Sequence, residues 1–298
     1  MARAMTTTTE STRTGARARA RHALRPGHLL SWALAIVVCA MVLLPLAYMV
    51  SMSFTPEALI DQWPLLPWPR MWSLENYKYI LNAPDVMIGR WYLNSIIITG
   101  TATLLVLALS TITAYGFTRL RFPGRNVLFY MCLSTLMIPF QATLLPIYLM
   151  FRSAHLLNTY WAIILPPLAS VFGTFLLRQF FQSFPRELEE AAIVDGASKL
   201  GVLWRIILPN STSALVAVAV VTFLGVWNDV FWPLIALSDP QTYTLPVGLS
   251  LLNQEYYGTP GPGVGMAGGV LGSVPILLFY FIFQRRIVEG LTMSGLKG

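Results

Sequence analysis

The chain alternates long apolar stretches with shorter polar segments, and this pattern predicts its main elements. Each apolar stretch comes close to or exceeds the roughly 20 residues that a helix needs to cross the hydrocarbon core of a bilayer. A helix is the expected form, because lipid offers backbone N–H and C=O groups no partners. The six predicted spans are residues 29–52, 92–115, 127–150, 160–180, 213–237 and 267–283.

The composition agrees with a membrane protein. Of the 298 residues, 55% are hydrophobic and 11% are charged, and the mean hydropathy is +0.61. These values exclude an ordinary soluble domain. The two cysteines, Cys39 and Cys132, both lie inside predicted spans, so neither a disulfide framework nor a metal site is expected from them.

The basic residues are unevenly distributed among the polar segments. Sixteen of the 20 Lys and Arg residues lie in the N-terminal tail, around the polar segments after the second and fourth spans, and in the C-terminal tail. Cytoplasmic segments of membrane proteins carry such an excess of Lys and Arg. Both termini and the loop of residues 182–209 are therefore predicted to be cytoplasmic, and residues 1–26 are predicted to form a disordered basic tail.

The loop of residues 182–209 has a helical pattern of its own. Pro185 suits the first turn of a helix, and the glutamates after it place negative charge near the positive N-terminal end, so a helix is predicted to begin near Ser183. Gly196 can adopt the positive φ that ends a helix. From spacing alone, the segment could simply be a solvated amphipathic helix that joins two spans. Its predicted narrow face consists of Leu188, Ala191, Ala192 and Asp195.

This loop also resembles a known family. Glu190-Ala191-Ala192, Gly196 six residues after Glu190, and Ile206-Ile207-Leu208-Pro209 are similar to the cytoplasmic loop of ABC importer permeases. The resemblance implies an all-α membrane protein with six transmembrane helices, a type I importer permease, whose short coupling helix docks into a cleft on an ATPase subunit. The residues that the resemblance assigns to this coupling are Glu190, Ala191, Ala192, Asp195, Gly196, Ala197, Leu208 and Pro209.

Three further stretches resemble the sugar-importing branch of these permeases. They are Ala114-Tyr115-Gly116-Phe117, Ile138-Pro139-Phe140-Gln141 and Trp227-Asn228-Asp229. The end of the chain, residues 290–298, is similar to the short tail that in maltose-type permeases reaches toward the ATPase dimer interface. On this resemblance, the chain is identified as a member of the maltose-type inner-membrane permeases, which are subunits of bacterial carbohydrate ABC importers.

Polar groups inside the spans are candidates for a translocation pathway. Asp229 is the only acidic residue inside a predicted span, and an unpaired carboxylate there is costly, so we expect it to face a cavity or a partner. Amide, carboxylate and aromatic groups suit an uncharged, hydroxylated ligand. Alternatively, Asp229 caps or pins neighbouring helices, with the nearby tryptophans at the membrane interface. The candidate pathway residues are Asn94, Gln141, Trp227, Asn228, Asp229 and Trp232.

Prolines interrupt the third and fourth predicted spans. Broken helices free backbone carbonyls, which membranes tolerate where protein or a water-filled cavity meets them. A pathway along these breaks and a packing role for the prolines are both open at this point. The prolines are Pro139, Pro146, Pro166 and Pro167.

The segment between the fifth and sixth spans, residues 238–266, contains no Lys or Arg and is predicted to be external. In the family that the chain resembles, this loop meets an extracytoplasmic solute-binding protein. Its Pro and Gly content fits a flexible connector equally well. The candidate contacts are Asn253, Gln254, Glu255, Tyr256 and Tyr257.

The chain lacks the residues for ATP chemistry of its own. None of its three lysines follows a glycine, so no phosphate-binding P-loop can be built. The three histidines lie far apart, with no Cys or carboxylate at ligand spacing. No catalytic residue, metal or cofactor is therefore expected in this chain, and the resemblance places ATP and Mg on partner ATPase subunits.

The chain thus divides into the tail of residues 1–26, a permease domain over 27–290 that contains the 182–209 loop, and a cytoplasmic tail over 291–298. The expected partners are a second homologous permease, two ATPase subunits, an extracytoplasmic solute-binding protein and the bilayer of a bacterial inner membrane, and no nucleic acid. Two other classes stay open. One is an ion-coupled secondary transporter, which usually carries several intramembrane ionisable groups, and the other is a non-transporting membrane scaffold.

Overall fold

The computed structural model describes residues 26–60, 68, 71–84, 86–252 and 261–295, with the backbone alone for 26–30 and 285–295. Within these ranges all regular structure is helical. Residues 1–25 of the predicted tail and the candidate contacts at 253–257 lie outside the described residues.

Fifteen α-helices are assigned in the described part of the chain. In order they are α1 (Pro26–Ser53), α2 (Glu57–Ile60), α3 (Glu75–Asn82), α4 (Ile88–Arg119), α5 (Arg125–Ser134), α6 (Phe140–Ser153), α7 (Tyr160–Ile164), α8 (Val171–Ser183), α9 (Arg186–Val194), α10 (Lys199–Val202), α11 (Leu208–Asn210), α12 (Thr212–Asn228), α13 (Phe231–Ala236), α14 (Leu245–Leu252) and α15 (Pro262–Gly295). Two 3-10 turns, Thr135–Met137 and Pro166–Leu168, and a π-helical turn, Leu203–Ile207, complete the assignment.

Three helices, α1, α4 and α15, are each long and apolar enough to cross a membrane. Three further candidates for crossings are helix pairs that bend at a short break. These pairs are Arg125–Met137 with Phe140–Ser153, bent by 100°, Tyr160–Leu168 with Val171–Ser183, bent by 41°, and Lys199–Asn210 with Thr212–Asn228, bent by 80°. If each bent pair is one span, the described residues contain six, the number predicted from the apolar stretches.

The break in the third crossing lies at a proline, as predicted. Ile138 is extended, with ψ 115°, which is the conformation that a following proline favours, and Pro139 directly precedes α6. Pro166 and Pro167 form a 3-10 turn at the bend of the fourth crossing. The prediction was wrong for Pro146, because α6 continues through it.

The fifth predicted span, residues 213–237, is not a single helix. α12 ends at Asn228, Asp229 is extended, with φ −69° and ψ 123°, and a new helix begins at Phe231. Pro209 lies within α11, where a proline is tolerated in the first turn, and that helix continues to Asn210.

α4 lies at the centre of the packed helices and contacts α7, α8, α12 and α14. Its N-terminal half contributes Trp91, Ile98 and Ala102 to one buried cluster, and its C-terminal half contributes Val106 and Ala114 to another. Because lipid is as apolar as these side chains, close van der Waals packing stabilises such contacts more than water exclusion does. α4 therefore connects the two clusters.

α8 approaches α4 and α12 closely at Gly173. A Cβ atom at this position would lie 2.8 Å from Oγ of Ser110 and 3.1 Å from Cγ1 of Val218. A larger side chain would push the helices apart. The glycine therefore sets the distance between these three helices.

The N-terminal end of α4 holds the segment of residues 240–245 in place. Nε1 of Trp91 donates to the carbonyl oxygen of Pro240 at 2.8 Å, and Oγ of Ser95 accepts from the backbone N–H of Leu245 at 2.8 Å. Gly248 lies directly against the indole of Trp91, where a Cβ would overlap the ring. This end of α4 thus has fixed partners more than 140 residues further along the chain.

The N-terminal helix α1 belongs mostly to a compact unit of its own. The chain divides into two compact units, Met1–Tyr48 and Met49–Gly298, so most of α1 belongs to the first. Its side chains over residues 31–47 are exposed and largely apolar. Such a helix is suited to contact with lipid or with another membrane helix.

Candidate coupling surface and translocation cavity

α9, the main helix of the 182–209 loop, begins three residues later than predicted. Pro185 is extended, with ψ 129°, and precedes the first turn instead of lying in it. Glu187 and Glu189 occupy that first turn, where their charge favours the positive end of the helix.

The C-terminal end of α9 is fixed by Gly196, as predicted. Gly196 has φ +86°, in the left-handed region that favours glycine. Its N–H donates to the carbonyl of Ile193 at 3.0 Å, and the N–H of Ala197 donates to the carbonyl of Ala192 at 2.9 Å. This pair of hydrogen bonds is a Schellman motif, which ends the helix and reverses the chain.

Contacts with the C-terminal end of α4 hold the loop against the transmembrane helices. Glu189 is buried and forms an ion pair with Arg119, the last residue of α4. Nη2 of Arg119 also donates to the carbonyl of Phe184 at 3.3 Å. The hydroxyl of Tyr115 donates to the carbonyl of Lys199 at 2.9 Å, at the start of α10. Two residues of α4 therefore fix the loop on both sides of Gly196.

Away from these buried contacts, the loop also presents apolar side chains to its surroundings. Val194 is 86% exposed, Trp204 64% and Leu200 63%, and Leu188 and Ile193 are also exposed. Exposed apolar side chains grouped on a polar loop mark a surface for contact with another molecule. The loop thus has an anchored inner side and an apolar outer side.

The eight residues predicted for coupling lie on both sides of the loop. Glu190, Ala191, Asp195, Gly196 and Pro209 are exposed. Ala192, Ala197 and Leu208 are half-buried and pack against the cluster at the C-terminal half of α4. Ala192 therefore does not belong to the exposed face predicted with Leu188. Contact of the exposed residues with an ATPase stays a prediction.

The residues that anchor the loop, Tyr115, Arg119 and Glu189, were not predicted from the sequence. The spacing contained one usable signal, because Glu189 and Ala192 are three residues apart and share a helix face. Arg119 was interpreted only through its charge, as a marker of membrane orientation. Nothing in the sequence joins residues 119 and 189, since their contact depends on the packing of α4 against α8.

A cavity of about 510 Å³ lies where the broken crossings meet. Its wall includes residues beside the breaks of the third and fourth crossings, and Asp229, where the fifth predicted span is interrupted. The lining residues are Thr135, Leu136, Phe140, Ile163, Pro166, Pro167, Ala169, Ser170, Val171, Phe172, Val221, Thr222, Gly225, Val226, Asp229 and Trp232. The proline breaks therefore line a cavity, although a pathway through it stays a prediction.

Asp229 combines both roles considered for it. Its Oδ1 accepts the backbone N–H groups of Phe231 at 3.0 Å and Trp232 at 3.4 Å, so it caps the start of α13. It also lines the cavity. Among the described residues its Oδ2 has no hydrogen-bond partner, so that oxygen is available to a ligand.

Trp232 lines the same cavity and is held rigidly. Its Nε1 donates to the carbonyl of Ala162 at 2.9 Å. Its ring packs at 81° to the rings of Phe140 and Phe151. The distances from its centroid to theirs are 6.2 and 5.8 Å. Trp232, Phe140 and Asp229 together place two aromatic rings and a carboxylate on one cavity wall.

The other four candidate pathway residues do not line this cavity. Asn94 is fully buried, and its Nδ2 donates to the carbonyls of Gln241 and Tyr243, both at 2.9 Å. Trp227 is buried against α15, and Asn228 donates to the carbonyl of Leu224 in its own helix. Gln141 is exposed at the start of α6. Asn94 and Trp227 thus make structural contacts here, and a transport role for any of the four stays a prediction.

Residues 106–292 match the family described as the binding-protein-dependent transport system inner membrane component. The chain belongs to this family. The match includes the 182–209 loop, the cavity and the C-terminal part of α4, so both candidate sites lie within the region that defines the transport component.

Curated members of the family resemble this transport component over most of their length. The arabinooligosaccharides transport system permease protein AraQ of Halalkalibacterium halodurans is 34% identical over 91% of this chain and 98% of its own. The trehalose/maltose transport system permease protein MalG of Thermococcus litoralis is 32% identical, over 89% and 95%. The lactose transport system permease protein LacG of Rhizobium radiobacter is 38% identical, over 74% and 79%.

A solved structure shows the same fold. A chain of a bacterial ABC transporter involved in the import of the acidic polysaccharide alginate superposes with a TM-score of 0.79, at 24% identity, over 90% of this chain and 99% of the other. The predicted all-α permease fold is therefore confirmed. These relatives are permease proteins, so the chain is a multi-pass membrane transport component and not an enzyme in its own right.

Proposed function

We propose that the chain is one of two permease subunits of an ATP-driven importer of sugars or sugar-like solutes. The observation that carries the proposal is the 182–209 loop, whose inner side is anchored to α4 and whose outer side is apolar and exposed. An anchored loop with a free apolar face is what a subunit needs if a separate motor protein is to move it. ATP and Mg would reside on that motor, an ATPase dimer.

The anchoring contacts suggest how motion would reach the cavity. When the ATPase subunits close on ATP, the loop would move with them, and the buried pair of Arg119 and Glu189 would carry this motion to α4. α4 packs against the 3-10 turn at Pro166–Leu168, which forms part of the cavity wall. Preferential affinity of the closed ATPase dimer for one cavity state would then drive transport.

The sugar assignment rests on the relatives and on the chemistry of the cavity. The relatives named above transport arabinooligosaccharides, trehalose or maltose, and lactose, according to their names. Aromatic rings at Phe140 and Trp232 suit the apolar faces of sugar rings, and the carboxylate of Asp229 suits hydroxyl donors. A single carboxylate without a cation on the cavity wall disfavours an anionic solute.

The remaining partners follow from the family. Its transport systems depend on a binding protein, and a related alginate transporter has been solved in complex with an alginate pentasaccharide-bound periplasmic protein. A binding protein would deliver the solute to the external face, where residues 253–257 are the predicted contacts. A second permease would complete the pathway, and both termini and the 182–209 loop would be cytoplasmic, as the distribution of Lys and Arg indicates.

Site-specific cross-linking tests the proposal. The test uses a variant whose two native cysteines are replaced. In native membranes, Val194→Cys in this background should cross-link to an ATPase subunit, because Val194 is the most exposed of the loop's apolar residues. Ala154→Cys, in the exposed turn after α6, serves as the matched control and should not. Equal cross-linking at both positions, or none at Val194, would contradict the proposal.

A transport assay distinguishes the other candidate functions. A secondary transporter would support uptake of solute driven by an ion gradient without ATP, and a membrane scaffold would support neither kind of uptake. Reconstituted vesicles with and without internal ATP, assayed with a labelled disaccharide and its binding protein, separate the three outcomes.

A further inference from the structure

A second concave surface, of about 800 Å³, lies apart from both the 182–209 outer face and the cavity. It is formed by the turn between α4 and α5 together with the first residue of α9. The lining residues are Arg121, Phe122, Pro123, Gly124, Arg125, Asn126, Val127 and Arg186. We call this surface the arginine groove.

The arginine groove carries three positive charges and no carboxylate. Arg121 and Arg186 are exposed, and Arg125 is half-buried with its Nη1 donating to the carbonyl of Leu120 at 3.1 Å. In the described part of the chain, one ion pair has its nitrogen and oxygen within 4.0 Å, and it joins Arg119 to Glu189. No groove arginine therefore has a carboxylate partner among these residues. The groove therefore has an uncompensated positive charge.

A fourth arginine, Arg178, lies near Arg125 of the groove. The guanidinium carbon of Arg178 lies 3.8 Å from the centre of the Phe129 ring, and its charge is close enough to that of Arg125 for the two to repel. Within the described residues Nε of Arg178 is buried and has no acceptor. An anion at the groove would relieve this repulsion.

The backbone and the neighbouring side chains narrow the choice of anion. The ten-residue α5 begins at the groove after Gly124, whose φ is +76°, and the first N–H groups of a helix lack partners within it and favour negative charge. Val127 at the edge of the groove, with Leu128 and Met131 further along α5, forms an exposed apolar surface. A free inorganic anion would leave that apolar surface exposed, whereas the acyl chains of a lipid would cover it.

We propose that the arginine groove binds the phosphate headgroup of an anionic phospholipid, with its acyl chains along the exposed apolar side of α5. Basic pockets between membrane helices on the cytoplasmic side bind anionic headgroups in this way. The proposal rests on the orientation given under the proposed function, but on neither the solute nor ATP. Because Arg186 is also the first residue of α9, such a lipid would touch the base of the 182–209 loop.

A lipid titration of the purified transport complex tests this site. Native mass spectrometry would compare phosphatidylglycerol with phosphatidylcholine on the unmodified protein and on Arg121→Gln/Arg186→Gln. These two side chains are exposed and make no described hydrogen bond, so the variant should fold. At roughly a fivefold loss of affinity per arginine near a membrane surface, phosphatidylglycerol binding should weaken by about 25-fold. Phosphatidylcholine binding should not change.

The matched control removes the same charge elsewhere. Lys78→Gln/Arg152→Gln changes two exposed cations outside the groove and should leave phosphatidylglycerol binding unchanged. The proposal is overturned if both double variants bind phosphatidylglycerol alike, or if inorganic phosphate displaces the lipid at equal concentration. It is also overturned if the groove variant loses an ATPase subunit while its lipid affinity stays the same, which would make the groove a protein-binding surface.

This titration separates the lipid site from the proposed function. It requires only the assembled protein, so a complex that imports no sugar would still report on the groove. Conversely, an importer with normal uptake and no preference for phosphatidylglycerol would refute the lipid site alone.

Discussion

The ion pair between Glu189 and Arg119 allows the anchoring of the 182–209 loop to be tested directly. The side chains of Arg119 and Glu189 are only 8% and 10% exposed. Glu189→Ala would remove the counter-charge of Arg119 and leave that guanidinium with its bond to the carbonyl of Phe184. We expect α9 to detach locally from α4 while the transmembrane helices stay folded, because the variant touches neither buried cluster.

The size of the effect follows from the burial of both groups. Breaking a buried ion pair by removing one partner costs about 3 to 5 kcal/mol. Since Arg119 keeps one acceptor, the lower end applies, and about 3 kcal/mol corresponds to roughly a 150-fold shift toward the detached loop. Glu189→Gln retains an acceptor oxygen for Arg119 and should cost less, on the order of 1 to 2 kcal/mol.

Hydrogen–deuterium exchange of the assembled complex measures this shift. Amides of α9 should exchange faster in Glu189→Ala, and those of α8 should not change. Uptake per ATP hydrolysed should fall in the same variant, because the loop would no longer move α4. Glu187→Ala is the control, since it removes an equal charge from the same helical turn at an exposed position.

Two results would refute this reasoning. The first is equal exchange and equal coupling in Glu189→Ala and Glu187→Ala. The second concerns the reversed pair, Arg119→Glu with Glu189→Arg, which should recover part of the protection that each single variant loses. If the reversed pair is no better than the worse single variant, the contact is not an electrostatic anchor.

Three further predictions follow from other residues. Gly196→Asp places a side chain on a backbone with φ +86°, at a cost of about 1 kcal/mol, so insertion should be normal while ATP hydrolysis becomes uncoupled from uptake; normal uptake would count against a coupling role. Asp229→Ala should change solute affinity or transport rate in vesicles, whereas Asp239→Ala, which removes a similar cap outside the cavity, should not. In Gly248→Val the new side chain would overlap the Trp91 ring, which should reduce the free energy of unfolding by about 1 to 3 kcal/mol. The melting temperature should fall accordingly, and solute specificity should not change.

Some of this structure could be predicted because its causes are local. Apolar stretches of sufficient length must form helices in lipid, so the number of crossings followed from the sequence. The end of α9 was predictable at Gly196 because a left-handed residue is almost a requirement of that turn. The break at Pro139 was predictable for the same kind of reason, since proline restricts the residue before it.

Other features depend on contacts between distant residues and could not be predicted. Asn94 looks like a polar group inside a span, yet its amide is fully used by carbonyls almost 150 residues further on. Arg119 and Glu189 meet only because α4 and α8 pack together. The helix break at Asp229 could not be predicted, because the N–H groups that its carboxylate caps are free only once the helix has broken.

The anchoring of α4 at both ends has a consequence for how sequences of this kind can change. Trp91 and Ser95 fix one end and Tyr115 and Arg119 fix the other, with about five and a half helical turns between Ser95 and Tyr115. Inserting or deleting one amino acid in that interval would rotate the two ends against each other by about 100°, so that one pair of attachments would point away from its partners. Natural length variation should therefore accumulate in the surface turns and spare the middle of this helix.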